Sequence, residues 1–306
     1  MKLIRAANEL GNGSRKTCLA IGVFDGVHLG HQQIIRQTVA DARQHDALAV
    51  VVTFDQHPSV IVAPERVPPQ IFSHSQKLRA IESLGADALL EIPFDKSFSE
   101  KTGEVFIREL RHDLGKIFSI CVGADFVFGR KRSGDVALLK TLGAELNFHV
   151  HGHAAVSLDG KLVSSTRIRE AIRTGNLDAA SQMLGRTYAI CGRVSSGDKI
   201  GHQLGFPTAN LEATGLVLPP NGVYAGGVKL KGQWYRAAVN IGVRPTIAPG
   251  SPSLRVEAHL LDFDGELYGI ELELEFDRKL RAELKFASVA ELVAQIARDV
   301  AAVRAA

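Results

Sequence analysis

The sequence predicts an α/β domain over residues 1–185, followed by a small all-β domain over residues 186–306 that ends in a helix. Three observations carry this reading. From residue 17 to about residue 152, short apolar runs that read as buried strands alternate with segments of helical periodicity, the pattern of a mainly parallel sheet covered by helices on both faces. After Gly185 the helical periodicity disappears, and β-rich runs separated by Gly, Pro and Asn take over, as in a small antiparallel barrel or sandwich. The length of 306 residues suits two domains, each large enough for its own core.

In chain order, residues 18–23 read as a buried strand and residues 32–45 as a helix with Ile34, Ile35, Val39 and Ala42 at helical spacing. Residues 47–54 are a β-rich run, and Ser73-His74-Ser75-Gln76 is a capping box that opens a helix to Leu84. Residues 88–92 and 117–122 are short apolar strands, residues 99–114 and 134–146 amphipathic helices, and residues 148–150 part of a last strand. Ser164 to Arg169 opens another helix, and residues 176–184 form one that Gly185 stops. In the second half the expected strands are 188–195, 223–230, 234–241, 254–261 and 267–276. Ser288-Val289-Ala290-Glu291 is a second capping box, opening a helix marked by Leu292, Ile296, Val300 and Val303.

The stretch from Gly22 to His31, Gly-Val-Phe-Asp-Gly-Val-His-Leu-Gly-His, organises the first half. A strand runs into a glycine-containing turn, and the turn opens a helix, so backbone N–H groups and the positive end of the helix dipole point at whatever sits above. Gly30 lets a phosphate approach the backbone closely, and His28 and His31 supply N–H donors for a phosphorus centre under attack. A lone His-x-Gly-His is commonly a surface turn; the preceding strand and following helix favour a nucleotide phosphate site. His28, Asp55, His57 and Asp125 all follow predicted strands, so one crevice at the carboxyl ends of the strands could gather them. At Ser164-Ser165-Thr166-Arg167-Ile168-Arg169, hydroxyls suit a helix cap, while two arginines crowd the end the dipole makes unfavourable to cations; a bound anion would resolve the conflict.

Composition narrows the classes. The net charge is +3, and no run of five or six like charges marks a sequence-general nucleic-acid binder. Residues 1–16 lack the apolar core of a signal peptide, and the longest apolar run, near residues 47–52, is too short to span a bilayer. Cys18, Cys121 and Cys191 are far apart in apolar runs, which suggests buried thiols in a cytoplasmic protein rather than zinc ligands or disulfides.

Together, His28-Leu29-Gly30-His31 and Ser164 to Arg169 resemble the paired signatures of the nucleotidylyltransferase superfamily. The stretch Gly22 to His28, Thr53-Phe54-Asp55 with His57-Pro58, and Gly123 to Gly129 (Gly-Ala-Asp-Phe-Val-Phe-Gly) are similar to the bacterial bifunctional riboflavin kinase/FAD synthetase family. In the second half Gly205 to Asn210, Asn221 to Tyr224, Asn240-Ile241-Gly242 with Arg244-Pro245-Thr246, Val256 to His259 and Leu280 to Phe286 look like its riboflavin kinase module. Three positions depart from that pattern: Gln56 where proline is common, Val127 where a basic residue is frequent, and His202 where arginine is usual.

The resemblance implies a Rossmann-like nucleotidylyltransferase domain, then a riboflavin kinase-like antiparallel β-barrel. It implies two reactions: riboflavin and ATP give FMN, and FMN and ATP give FAD and pyrophosphate. In the first domain it puts His28, His31 and Arg169 in catalysis, and Gly22, Phe24, Gly30, Ser164, Ser165, Thr166 and Arg167 around ATP phosphates. It puts Asp55, His57, Asp125 and Phe126 on the flavin side. In the second domain Gly197, Lys199, Gly201, Gly205 and Thr208 would hold phosphates, although the glycines alone read as hairpin turns. Thr208 and Asn210 present hard oxygen donors on one side of an extended segment, which suits Mg²⁺ beside ATP. Glu257, by alternation with Arg255 and His259 an outward-facing residue, becomes by resemblance the general base for the riboflavin 5′-hydroxyl. Asn240 and Arg281 would contact flavin, Arg281 alternatively making a surface ion pair with Glu283.

The expected partners are thus riboflavin, FMN and ATP, with no nucleic acid or membrane, and weak or transient self-association is left open. Two other classes share features. A class I aminoacyl-tRNA synthetase fragment would need a lysine-rich second motif and a basic surface; a flavin-sensing regulator would have lost His28, His31, Thr208, Asn210 or Glu257.

Overall fold

The computed structural model describes residues 1–10, 15–197, 200–243 and 254–305. By contacts the chain divides into two compact units, Met1–Pro68 with Lys77–Ser164 and Pro69–Gln76 with Ser165–Ala306.

The first unit is built on six parallel strands: β1 (Lys2–Ile4), β2 (Lys16–Ile21), β3 (Ala47–Phe54), β4 (Ala88–Ile92), β5 (Ile117–Gly123) and β6 (His149–His153). Their order is β1-β4-β3-β2-β5-β6. Leu19, Ile21, Val50, Val52, Ile120 and Val122 pack on one face with Phe106, Ile107, Leu110 and Leu139. The alternate residues Cys18, Ala20, Ala49, Val51, Ser119 and Cys121 are buried on the other face. There helix α1 (Leu29–Gln44) sends Asp41 down to accept a hydrogen bond from Ser119 Oγ at 2.9 Å. Burial on both faces is why these strands read as continuous apolar runs rather than alternating ones. Further helices are α2 (Ser59–Val62), α3 (His74–Glu82), α4 (Lys96–Ser99), α5 (Gly103–Leu114) and α6 (Val136–Leu146), and a hairpin, β7 (Ser157–Leu158) with β8 (Lys161–Leu162), precedes Ser164.

Several elements differ from the sequence reading, among them α2 and the β7–β8 hairpin, which are not expected from it. Strand β1 lies in the charged amino-terminal stretch where none is expected; Ile4, 1 % exposed, is its buried anchor. The helix expected over residues 99–114 is broken into α4 and α5, because Thr102 accepts from Val105 N and starts a fresh helix. The strand expected over residues 267–276 runs instead from Glu271 to Arg281; Gly269 (φ 74°) makes a turn, and outward-facing Asp277 and Lys279 hide the continuation.

The second unit holds helices α7 (Ser165–Arg173) and α8 (Leu177–Leu184), then a closed antiparallel barrel. Its strands are β9 (Ala189–Ser195), β10 (Ala209–Leu211), β11 (Gly222–Leu230), β12 (Gln233–Val243), β13 (Leu254–Leu260) and β14 (Glu271–Arg281), with the short helix α9 (Ile200–Gln203) between the first two. The order β10-β13-β12-β11-β14-β9 closes through β9 and β10. Tyr224, Val239, Ile241, Val256, Ala258, Leu274 and Phe276 fill the interior. Helix α10 (Val289–Arg304), capped by Ser288, covers part of the outside, where Val303 and Val300 pack on Ala225, Ala238 and Leu261. Gly185 (φ 67°) stops α8 as expected.

Tyr188, fully buried and stacked on Phe276, donates its hydroxyl to the Val217 carbonyl at 2.6 Å. Tyr188→Phe leaves that carbonyl unpaired, and about 1–3 kcal/mol of stability is expected to be lost. A thermal unfolding scan of the barrel that shows no fall in midpoint would contradict this account.

Candidate functional sites at the strand ends and on the barrel wall

In the first unit the strand order reverses between β2 and β5, a topological switch point of the kind at which open α/β sheets bind ligands. The chain leaves β2 through Gly22 and Val23 and turns on left-handed Phe24 (φ 53°), Gly26 (φ 77°) and Val27 (φ 39°). Two side chains hold the turn: Thr53 Oγ1 donates to the Val23 carbonyl at 3.1 Å, and Gln32 Nε2 to the Val27 carbonyl at 2.9 Å. His28 then caps α1, its Nδ1 accepting from His31 N at 3.4 Å. A ring nitrogen that accepts carries no hydrogen, so the donor His28 offers is Nε2–H.

The His28 and His31 rings stack with centroids 3.6 Å apart, and the edge of Phe24 meets His31 at 5.2 Å. His31 Nδ1 is enclosed without a hydrogen-bond partner. Burial, and then the neighbouring His28, hold the His31 pKa well below its ordinary value, so His31 is neutral at physiological pH. Phe24 is 1 % exposed and packs beneath Gly22, where a Cβ would meet its ring at 3.1 Å. Its side chain therefore braces His31, and only its backbone takes part in the turn.

A cavity of about 580 Å³ opens beside this turn. Gly22 and Val23 form one border, and linked phenylalanine rings line part of the wall, with Phe126 stacked on Phe128 at 5.1 Å and Phe54 edge-on to Phe94 at 5.2 Å. Lys96, Lys101 and the run Arg130-Lys131-Arg132 supply cations at its wall. Of the residues expected from sequence, Gly22 and Phe126 border this space. Asp55, His57 and Asp125 stand at the same edge of the sheet without lining it. Asp55 accepts from Phe94 N at 2.9 Å, and His57 Nδ1 accepts from Ser59 N at 3.2 Å, so both shape loops. The basic run was the legible signal for this wall, directly after the Gly123–Gly129 stretch, and the sequence reading did not use it.

Ser164 ends the first unit, and Ser165, Thr166, Arg167 and Arg169 begin α7 of the second. Arg169 is 7 % exposed and donates through Nε to the Pro69 carbonyl at 2.7 Å, while Thr166 is exposed.

The second site lies on the outer wall of the barrel. Glu257 on β13 pairs with Asn210 on β10 and with Asn240 on β12. Residues directly opposite in a ladder share a face, so the three form one row facing away from the interior that Val239, Val256 and Ala258 occupy. The outward orientation that argued against Glu257 from alternation is correct, and this outer face is roofed. A cavity of about 390 Å³ covers it, with Thr208, Asn210, Asn240, Glu257 and Arg281 in its lining. Leu284, Phe286, Leu292 and Ile296 give the same cavity an apolar side.

Asn210 is 8 % exposed, and its Oδ1 is enclosed without a hydrogen-bond partner. A buried acceptor with no donor calls for an explanation, and a hard cation held between this oxygen, Thr208 and phosphate oxygens provides one. Two glycines keep the space open: a Cβ on Gly197 would strike Asn210 Nδ2 at 2.3 Å, and one on Gly201 would strike the Phe206 carbonyl at 2.5 Å. Gly205 (φ 83°) ends the α9 turn and meets nothing. Lys199 and the Arg244-Pro245-Thr246 motif lie outside the described residues. Glu257 is paired with Arg255 at 3.3 Å. Arg281 pairs with Asp299, Nη2 lying 2.7 Å from Oδ2, and so makes its ion pair with a carboxylate other than Glu283, the alternative partner in the sequence.

A glycine-containing turn at the switch point of a parallel sheet, together with a roofed row of oxygen-bearing side chains on a barrel, suits a two-site nucleotide-using transferase. The comparisons agree with both halves. The FAD synthetase family model matches residues 12–167 and the riboflavin kinase model residues 184–306. The bifunctional riboflavin kinase/FMN adenylyltransferase of Haemophilus influenzae is 36 % identical over 306 residues, covering 100 % of this chain and 99 % of the relative. That of Escherichia coli K12 is 38 % identical over 301 residues, covering 98 % and 96 %. A crystal structure described as a macrolide-efflux protein from Streptococcus pneumoniae aligns with a TM-score of 0.85 at 28 % identity, over 99 % of this chain and 98 % of that one. Among the described residues no helix is long and apolar enough to cross a membrane.

The chain belongs to the bifunctional riboflavin kinase/FMN adenylyltransferase family. It phosphorylates riboflavin to FMN and joins FMN to AMP to make FAD, using ATP in both steps. Membership sets aside the aminoacyl-tRNA synthetase and regulator readings.

The depressed His31 pKa has a consequence for stability. The unfolded chain binds a proton near pH 6.5 and the folded chain resists it, so this group lowers stability as pH falls through that value. His31→Asn removes the term, and its denaturation midpoint is expected to fall less than that of the parent protein between about pH 7.5 and about pH 5.5. Equal falls would refute the assignment.

Proposed function

We propose that the two reactions run at the two sites just described, with functional modules dividing near residue 185. The end of the FAD synthetase match at residue 167 and the start of the riboflavin kinase match at residue 184 support that boundary.

In the kinase module Glu257 takes the proton from the riboflavin 5′-hydroxyl, whose oxygen attacks the γ-phosphorus of ATP as ADP departs. Thr208 and Asn210 hold Mg²⁺, which when bound neutralises charge on the phosphates. Gly197, Lys199, Gly201 and Gly205 are the residues that bind those phosphates. Asn240 orients the flavin, and the apolar side of the cavity receives its ring. The observation that carries this reading is the enclosed, unpartnered Asn210 Oδ1 in one row with Glu257.

In the adenylylation module an oxygen of the FMN phosphate attacks the α-phosphorus of ATP, and pyrophosphate departs. His28 and His31 donate to the phosphates above the α1 N-terminus, while Gly22, Gly30 and the Phe24 backbone leave room for them. By resemblance to the family, Ser164, Ser165, Thr166 and Arg167 are further ligands of the ATP phosphates, and Arg169 serves the same reaction. The phenylalanine-lined cavity with its basic rim suits a flavin ring and its phosphate, with Phe126 as a stacking face and Asp55, His57 and Asp125 at its margin. The protein works in the cytoplasm and requires neither nucleic acid nor membrane.

The test is product analysis with riboflavin, ATP and Mg²⁺. Asn210→Ala or Glu257→Gln should slow FMN formation by about 10²-fold or more while supplied FMN is still converted to FAD. His28→Ala with His31→Ala should let FMN accumulate without FAD. Either set abolishing both steps equally in a folded protein would refute the two-site assignment.

A further inference from the structure

Arg281 ends β14 at the lip of the barrel cavity, and its guanidinium is committed to α10. Nε lies 3.0 and 3.1 Å from the two oxygens of Asp299, Nη2 lies 2.7 Å from Oδ2, and Nη1 donates to the Ala282 carbonyl at 3.0 Å. Asp299 is 6 % exposed and also accepts from Gln295 Nε2 at 2.9 Å. The guanidinium in turn sits over the Phe286 ring, 6.0 Å from its centroid. Residues 282–288 carry no helix or strand of their own, yet they contribute Leu284 and Phe286 to the apolar side of the cavity. Leu284 is 53 % exposed, a large apolar side chain held at a cavity wall. A fork held at both prongs by a buried carboxylate has one orientation.

We infer that Asp299 is a positioning residue for riboflavin phosphorylation, fixing Arg281 and thereby the Leu284–Phe286 wall against which the flavin ring packs. The inference rests on assigning this cavity to riboflavin. It gives the Arg281–Asp299 pair a role in substrate fit beyond holding α10 to the barrel, and it reassigns Arg281 from a ligand contact to a strut. An ordered wall lowers what flavin binding must spend on immobilising side chains, so the effect belongs in riboflavin affinity rather than in the phosphoryl-transfer step.

Steady-state kinetics of the full chain test this. Asp299→Asn should raise the riboflavin KM by about tenfold with kcat changed less than about twofold. The ATP KM of the kinase reaction and the conversion of FMN to FAD should stay at parent values. Asp299→Glu should recover most of the loss, and Arg281→Lys, which keeps the charge but loses the fork, should reproduce it. A riboflavin KM unchanged in Asp299→Asn, with only the thermal midpoint lowered, would overturn the inference. If that variant does not fold, an unchanged KM in Arg281→Lys does so equally. Asn210→Ala separates the two levels: if it leaves FMN formation intact, the assignment of the cavity fails. If it stops FMN formation while Asp299→Asn and Arg281→Lys are silent, only the positioning role fails.

Discussion

Burial decides where each half of this protein can place polar chemistry. In the first unit both faces of the parallel sheet are consumed by apolar packing, Leu19 and Ile21 toward one side and Cys18 and Ala20 toward the other. Only the strand ends remain, and there the chain puts its glycine turn, its histidine pair and its ring-lined cavity. In the barrel the interior claims every second side chain, so Asn210, Asn240 and Glu257 are all committed to the outer wall by parity. That wall becomes a site because α10 and residues 282–288 roof it.

Much of this was legible in the residues. Strands buried on both faces leave long apolar runs, so residues 47–54 and 88–92 were found at their true limits. Caps spoke equally plainly: Ser73 with Gln76, Ser288 ahead of Glu291, and Gly185 as a helix stop all serve as read. What escaped was structure set by partners distant in sequence. Strand β1 is three residues long and gains its identity from lying beside β4, which no local pattern announces. The far half of β14 is masked by charges that face outward.

The sites were legible in a similarly uneven way. Motif spacing placed Thr208, Asn210, Asn240 and Glu257 around one cavity. It could not distinguish a residue that faces a ligand space from one that supports it. Phe24, within its motif, is buried against His31, and Arg281 lines the barrel cavity while its guanidinium is held by Asp299. Phe54 ends β3 while Phe94 and Phe98 lie four residues apart just beyond β4, and the ring cluster they make exists only after folding.

The backbone between Phe24 and Val27 has one more implication. Val27 is β-branched, fully buried and left-handed at φ 39°, a conformation that costs on the order of 1–3 kcal/mol and persists only where its surroundings over-determine it. Gln32, grasping the Val27 carbonyl, is part of that enforcement. The strain is therefore met when the chain folds, long before any nucleotide arrives. The turn is already ordered in the folded protein, so the entropy of fixing that loop falls on folding and on no later event.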